Sequence, residues 1–338
     1  MRIKKIEILL LLIAICKGAP AQTTNVYFTT REITRVAINK NYYYHFNALD
    51  SGGNSISYLI NKLPPWMNYN GNTYSISGNA TKAGQFPVEV SAYAKTDTTH
   101  QQFMVTVYDK QTKNILCLGN SITNGVDTFN SYRRDLWQLL HAGNYNLDFI
   151  GSWSKHTMGT KVPVPDFDMD HEGHSGWTFE DILKPPSWDS VRGNLHEWIN
   201  EYTPDIVLIE LGTNDVFQCR TPPEMFGNLN VILSILREKN KHVKIFLAQI
   251  PPLGAQWSNK KLCGNDIAYA DAIINLNRQI ALYAHEHSTA QSAIKVVDQY
   301  SGVDPATDMF DDIHPNTKGE KIMAERWFAA IKEDIKKL

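Results

Sequence analysis

Four side chains that together could carry out acyl transfer lie at separate places along the chain. Ser121 directly follows the end of an apolar run, where a helix could begin, and Asn214 lies just beyond a second apolar run. Near the C-terminus, His314 has a carboxylate three residues before it, Asp311. A serine nucleophile needs an adjacent base to accept its proton, and a histidine base is oriented by a carboxylate. These residue types therefore predict an acyl-transfer site.

Each of these residues also has a simpler interpretation when it is taken alone. Serine is a common N-cap residue, and the segment 311–315 could be a polar loop that caps a helix beginning at Pro315. Asp312 is a rival of Asp311 as the carboxylate that orients the histidine. The occurrence of all four side chains at or after the ends of predicted strands favours the catalytic interpretation.

From residue 114 onward, predicted strands alternate with predicted helices. The strands are 115–118, 147–150, 206–211, 243–250 and 294–297, and the helices lie near 131–142, 190–202, 222–239, 266–286 and 316–336. This alternation predicts an α/β fold, a parallel sheet covered by helices on both faces in three αβα layers. In such folds the site lies at the carboxyl ends of the strands, where Ser121 and Asn214 are expected.

The preceding part, residues 22–108, has a different pattern. Short alternating runs such as 86–94 and 103–108 are separated by turn-rich stretches, and no helical period is sustained. This pattern predicts a small all-β sandwich. The polar segment 109–113 is the predicted linker to a catalytic domain at 114–338.

Residues 1–21 have the pattern of a secretory signal peptide. Basic residues precede a short apolar run, and small residues end at Ala21, the predicted cleavage site. The apolar run is too short to span a bilayer comfortably, and no second span is predicted. A lipid anchor at Cys16 is the less favoured alternative, because the bulky Ile15 precedes it. The predicted location is therefore secreted or periplasmic.

Charge and cysteine content limit the function further. Without residues 1–21 the chain has 29 basic and 34 acidic side chains, a formal charge of −5 and no basic footprint for nucleic acid. Cys117 is predicted to be a buried core residue. Cys219 and Cys263 lie on loops and could pair in an exported protein, but their spacing leaves the pairing open.

Four sequence blocks resemble the SGNH (GDSL-type) hydrolase superfamily, in the order in which that family has them. They are residues 119–123, 172–178, 212–215, and Asp311 with His314. The resemblance covers 114–338. Asn120 stands where the family usually has aspartate, and asparagine keeps a carbonyl acceptor but loses the charge. The N-terminal part resembles bacterial cadherin-like, immunoglobulin-type modules.

The resemblance implies a role for each matching residue. Ser121 would be the nucleophile, His314 the base and Asp311 the residue that orients it. The oxyanion hole would be formed by the backbone N–H groups of Ser121 and Gly176 and by the side-chain amide of Asn214. Gly173 is a rival for Gly176, which is preferred because it directly precedes the Trp-Thr pair of the second block. No cofactor is implied.

The acidic and histidine-containing segment 166–174 invites comparison with metal sites. A calcium loop would have glycine in place of His171 and glutamate in place of Trp177. A zinc-binding helix would separate its histidines by four positions, whereas His171 and His174 are three apart. The sequence therefore predicts no metal site here, and a solvated or substrate-lining loop is expected instead.

Aromatic residues on loops at the predicted active edge could contact a substrate. Trp153, Trp177 and Trp257 are the candidates, since each offers a flat apolar face with a polar handle on which a sugar ring could stack. Packing within the protein is the alternative for each of them.

The segments 132–137, 147–152 and 170–177 resemble secreted acetylxylan esterases of carbohydrate esterase family 3. That resemblance implies removal of O-acetyl groups from a carbohydrate through an acyl-enzyme, with the N-terminal module as a spacer or weak sugar binder. No partner protein is indicated. Two alternatives remain: an SGNH esterase or lysophospholipase acting on other exported esters, and a non-catalytic glycan-binding protein.

Overall fold

The computed structural model describes residues 25–95, 97–156, 162–264 and 266–338. The predicted signal peptide, 1–21, and the alternative lipid-anchor residue Cys16 lie outside these ranges. Within them, no helix combines the length and the apolar character needed to cross a membrane.

The described part of the chain before residue 109 is built of strands. They are β1 (Val26–Phe28), β2 (Arg35–Ala37), β3 (Asn41–His45), β4 (Ala48–Asp50), β5 (Ser57–Lys62), β6 (Met67–Asn70), β7 (Ser75–Asn79), β8 (Gly84–Ala94) and β9 (Asp97–Tyr108). A sheet of order β2-β9-β8-β5 accompanies a sheet of order β3-β7-β6 and the pair β1-β4. In β3 the alternate residues Tyr42 and Tyr44 are buried and their neighbours exposed, as expected of a strand with one face on a core. The predicted all-β sandwich is confirmed.

A parallel sheet forms the centre of the remaining chain. Its strands are β10 (Lys113–Gly119), β11 (Leu147–Ile150), β12 (Glu172–Gly173), β13 (Ile206–Glu210), β14 (Lys244–Gln249) and β15 (Ile294–Asp298). The order is β11-β10-β13-β14-β15, with the short β12 also paired to β10. All of these pairs are parallel. Every residue of β13 is buried, as expected for a strand with helices on both faces.

Helices cover both faces of this sheet and confirm the predicted αβα layers. They are α1 (Ser121–Asn124), α2 (Tyr132–Ala142), α3 (Phe179–Leu183), α4 (Leu195–Glu201), α5 (Thr213–Phe217), α6 (Pro222–Lys239), α7 (Ala255–Ser258), α8 (Tyr269–His287), α9 (Pro305–Asp308) and α10 (Thr317–Ile331). Apolar residues of α2 and α10 share one buried cluster, and those of α4, α6 and α8 share another.

The predicted helix over 190–202 is wrong in its first half. The structure has a 3₁₀ turn at Ser190–Arg192 and then α4. Gly193 separates them with a φ of 73°, a left-handed conformation that glycine adopts without strain. Asn194 then caps α4, its side chain accepting hydrogen bonds from the first backbone N–H groups of the helix.

The β-sandwich and the αβα part share one buried cluster of apolar side chains, which includes Val105 and Leu147. The segment between them is an ordered turn. The Asp109 carboxylate accepts hydrogen bonds from the backbone N–H groups of Gln111 and Thr112, at 2.8 and 3.0 Å. Lys113, the last residue of the predicted linker, is already the first residue of β10.

Polar side chains of the sandwich also contact buried carboxylates of the αβα part. Arg35 Nε lies 3.2 Å from Asp148 Oδ2, and Thr34 Oγ1 donates a hydrogen bond of 2.6 Å to Asp170 Oδ2. Asp148, Asp168 and Asp170 are all buried. The expectation of a solvated or substrate-lining loop is therefore wrong for Asp168 and Asp170, because the sandwich covers them.

Candidate active site

Ser121 is the first residue of α1 and lies just past the carboxyl end of β10. A side chain at Gly119 would place Cβ 2.2 Å from Thr123 Oγ1 and 2.6 Å from the Glu210 carbonyl oxygen, so this position needs glycine. Asn120 is the N-cap, and its Oδ1 accepts a hydrogen bond of 2.8 Å from the Ile122 backbone N–H. Asparagine thus provides the capping acceptor that aspartate would provide, although its Nδ2 is buried with no hydrogen-bond partner among the described residues.

Ser121, His314 and Asp311 form a continuous hydrogen-bonded chain. Ser121 Oγ lies 2.7 Å from His314 Nε2. On the other side of the ring, His314 Nδ1 lies 2.8 Å from Asp311 Oδ2 and 3.0 Å from Oδ1. The backbone N–H of His314 donates to the same carboxylate at 2.8 Å. The structure therefore brings these three predicted residues together in an arrangement that can take a proton from the serine.

The two carboxylates before His314 have different surroundings. Burial raises the pKa of Asp311, but the hydrogen bonds and charge of His314 outweigh burial and hold that pKa below its usual value. An ionised Asp311 can stabilise the imidazolium that forms when the histidine accepts a proton. Asp312 instead lies against Gly254, whose backbone N–H donates to the Asp312 carbonyl at 2.8 Å. The geometry thus favours Asp311 over Asp312.

The two glycines considered for the oxyanion hole differ in what their N–H groups do. The Gly173 N–H donates to His171 Nδ1 at 2.8 Å. Burial lowers the pKa of His171 well below its usual value, so the ring stays neutral and Nδ1 remains an acceptor. The Gly176 N–H donates to no described residue, and Gly176 adopts a φ of 83°. Gly176 therefore has a donor to offer to a ligand, whereas Gly173 does not.

Asn214 joins the third sequence block to the second. Its Nδ2 donates one hydrogen bond, of 2.9 Å, to the Trp177 carbonyl oxygen. Because the amide carries two N–H groups, one remains for a ligand. The next residue, Asp215, accepts from the Phe179 backbone N–H at 3.2 Å, and burial raises its pKa to about 7. These contacts fix Asn214 relative to the turn that contains Gly176.

A buried polar network supports the same turn and was not predicted from the sequence. Glu172 Oε2 lies 2.9 Å from His174 Nε2, and Glu172 Oε1 accepts from the Tyr202 hydroxyl at 2.6 Å. The His174 ring also packs against Trp177 and Trp198, with ring centroids at 4.3 and 5.1 Å. The separation of Tyr202 from Glu172 along the chain gave no signal of this contact; only the short Glu–His spacing could have suggested it.

The three tryptophans proposed as substrate-lining residues are mostly not available to a substrate. Trp177 is fully buried and donates from Nε1 to Asp189 Oδ2 at 3.2 Å, so the expectation is wrong for this residue. Trp257 is also buried, against Phe217 and Tyr269, and the expectation is wrong there too. Trp153 is partly exposed, and the Arg192 guanidinium covers its ring at 3.5 Å from the centroid.

A different tryptophan, Trp188, was not among the predicted site residues and is 54% exposed. The edge of its ring lies 3.5 Å from the position that a Cβ on Gly176 would occupy. The only signal in the sequence is its setting, a short polar stretch directly after Pro185 and Pro186.

Cys219 and Cys263 are joined by a disulfide, with their Cα atoms 6.0 Å apart. The bond connects the turn that follows α5, the helix that carries Asn214, to the 3₁₀ turn Leu262–Gly264. Cys117 is a free, buried cysteine, as expected. Within the described ranges, no group of three or more His, Cys, Asp or Glu side chains is arranged to hold a metal ion.

A parallel αβα sheet with a Ser–His–Asp chain at its carboxyl edge is the architecture of an SGNH hydrolase. Residues 117–322 match the model of the GDSL-like Lipase/Acylhydrolase family, and the chain belongs to this family. Residues 20–108 match the model of an Ig-domain family, He_PIG. The family prediction is confirmed by these matches.

Individual relatives are esterases by name. A multidomain esterase of Ruminococcus flavefaciens is 30% identical over 66% of this chain and 29% of its own length. An arylesterase of Vibrio mimicus is 26% identical over 28% of this chain and 48% of its own length. The chain therefore matches less than half of either curated relative.

Solved structures show the same catalytic fold. A carbohydrate esterase of family 3 from Talaromyces cellulolyticus is 28% identical, with a TM-score of 0.51 over 65% of this chain and 97% of that one. A family 3 carbohydrate esterase from Clostridium thermocellum is 25% identical, with a TM-score of 0.51 over 66% and 96%. An acetyl esterase crystallised with acetate is 27% identical, with a TM-score of 0.52 over 66% and 99%.

Proposed function

We propose that this protein is a serine esterase that removes O-acetyl groups from a carbohydrate of the acetylxylan type. The observation that carries the proposal is the 2.7 Å contact between Ser121 Oγ and His314 Nε2, with Asp311 on the other side of the ring. The likeness to carbohydrate esterases of family 3 and to an acetyl esterase supports the substrate class.

In the proposed reaction Ser121 Oγ attacks the acetyl carbonyl carbon while His314 Nε2 takes the hydroxyl proton. The N–H groups of Ser121 and Gly176 and the free N–H of the Asn214 amide stabilise the oxyanion. The intermediate then releases the sugar hydroxyl, which receives its proton from His314. A water activated by the same histidine hydrolyses acetyl-Ser121 and releases acetate.

The domain assignment and the location are part of the proposal. The module is assigned to 22–108, the linker to 109–113 and the catalytic domain to 114–338, behind a cleaved signal peptide at 1–21. The disulfide between Cys219 and Cys263 supports an oxidising, secreted or periplasmic location, because such bonds persist there.

Acetate release tests the proposal directly. The purified chain from residue 22 is incubated with acetylated xylan, alongside a Ser121→Ala variant whose rate is expected to fall by about four orders of magnitude or more. A parallel series of 4-nitrophenyl esters from acetate to octanoate measures acyl-chain preference. Acetate release that is lost in the variant, with a steep fall beyond acetyl, is expected. A flat chain-length series without release from xylan would contradict the carbohydrate assignment and leave a general esterase.

A further inference from the structure

Trp188 is a large aromatic side chain that the fold keeps at the surface. It is 54% exposed, whereas Trp177 and Trp257 are 0% and 7% exposed. It follows α3 in the loop that leads to the 3₁₀ turn Ser190–Arg192. Tryptophan combines a wide apolar face with a polar N–H, and its position outside the core leaves that face open to a ligand.

The exposed Trp188 ring lies close to Gly176, a residue of the proposed oxyanion hole. The ring edge lies 3.5 and 3.8 Å from the place where a Cβ on Gly176 would be. If the Gly176 N–H donates to the oxyanion, the Gly176 nitrogen lies about 3 Å from the oxyanion oxygen. The exposed ring therefore lies beside Gly176, close to the position proposed for the reacting acyl group.

The loop that carries Trp188 is held in place by its neighbour. The Asp189 carboxylate accepts hydrogen bonds from Trp177 Nε1 at 3.2 Å and from Arg192 Nε at 3.0 Å. The Asp189 backbone N–H donates to the Pro186 carbonyl at 2.9 Å. Because the loop is already ordered, little entropy is lost in ordering its backbone when a ligand binds to a side chain that it carries.

We infer that the exposed face of Trp188 stacks on the sugar ring that carries the acetyl group and so selects carbohydrate esters over simple ones. The inference rests on the proposed function and adds to it the residue that recognises the sugar. The sugar would lie on the ring while its ester carbonyl points at the Gly176 N–H. A small alkyl acetate has no ring to stack and gains much less from Trp188.

The test compares two substrates across three variants. Acetylated xylo-oligosaccharides provide a sugar ring, and ethyl acetate does not. Trp188→Ala is expected to lower kcat/KM on the oligosaccharide by about tenfold, mainly through KM, and on ethyl acetate by much less. Trp188→Phe should recover part of the loss. Val191→Ala, at an 89% exposed position three residues away, is the matched control and should behave as the native chain.

Binding without chemistry gives a second readout. In a Ser121→Ala background, calorimetric affinity for the acetylated oligosaccharide should fall about tenfold when Trp188 is also changed to alanine. The inference would be overturned, and the proposed function left intact, by two results together. The ratio of kcat/KM on the oligosaccharide to kcat/KM on ethyl acetate would be the same with and without Trp188, and so would the affinity for the oligosaccharide. A native chain that hydrolyses ethyl acetate but no acetylated oligosaccharide would overturn both.

Discussion

At the scale of single residues, the adjacent carboxylates Asp311 and Asp312 allow the catalytic role of one to be tested with the other as control. Asp311 contacts His314 Nδ1 at 2.8 Å, whereas Asp312 lies against Gly254. We expect Asp311→Asn to lower kcat by about three to four orders of magnitude, because an amide no longer stabilises the imidazolium or fixes its tautomer. The measurement is kcat on 4-nitrophenyl acetate.

Asp312→Asn is the control for this experiment. Asp312 adopts a φ of 66°, which asparagine tolerates well, and its carbonyl rather than its carboxylate accepts from Gly254. Its kcat should stay close to that of the native chain. Equal losses in the two variants would show that the loop as a whole, and not the contact with His314, determines the rate.

Ser121 and Asn214 were predicted because each closely follows an apolar strand. His314 follows the last predicted strand by a longer loop and was indicated by Asp311, three residues before it. The preference for Gly176 over Gly173 rested in the sequence only on the match to the second block, with no physical reason to reject Gly173. That choice depends on the His171 ring, which already accepts the Gly173 N–H. Contacts of this kind are set by packing in three dimensions and leave no pattern along the chain.

Among the elements, the disulfide connects two loops on neighbouring parts of the sheet edge. A cross-link between residues 44 apart restricts the unfolded chain and should stabilise the fold by about 2–4 kcal/mol. We expect Cys219→Ala with Cys263→Ala to lower the free energy of unfolding by that amount in urea denaturation. Reduction of the native chain should give the same shift and should leave the double variant unchanged. If reductant also lowered the stability of the double variant, the effect on the native chain could not be attributed to the bond between Cys219 and Cys263.

The long strands and helices were predicted well, and the short elements were not. The bounds of α6, Pro222–Lys239, follow from Thr221 as N-cap, proline in the first turn and an apolar period. By contrast α5 and β12 are too short to show any period. β12 is paired with β10, and α5 is joined to the turn after β12 by the hydrogen bond from Asn214 to the Trp177 carbonyl oxygen. Likewise, Trp177 is buried and Trp188 is exposed, but no pattern in the sequence distinguishes the two.

At the scale of the whole molecule, the β-sandwich packs onto the catalytic part through buried carboxylates. Burial raises the pKa of Asp148 to about 6 and that of Asp170 to about 7, while the charges of Arg35 and Arg31 oppose the rise. Burial and the neighbouring carboxylates also raise the pKa of Asp168 well above its usual value. Asp168 and Asp170 directly precede β12, the strand that leads to Gly176, so the sandwich contacts the segment just before the proposed oxyanion hole.

The contact between Arg35 and Asp148 should make the stability of the fold depend on pH, because Asp148 titrates. A carboxyl whose pKa is higher in the folded state stabilises the fold below its unfolded pKa of about 4 and loses that contribution as the pH rises through about 6. Arg35→Met removes the charge that opposes the rise, so the pKa of Asp148 should increase further. Since Arg35 is 31% exposed and partly screened, we expect a loss of about 2 kcal/mol at about pH 7.5 and a smaller loss at about pH 5. Urea denaturation at both pH values measures this loss.

In an Asp148→Asn background the same substitution should cost little at either pH, because no buried charge is left unpaired. Equal losses at the two pH values would show that Arg35 acts through packing alone.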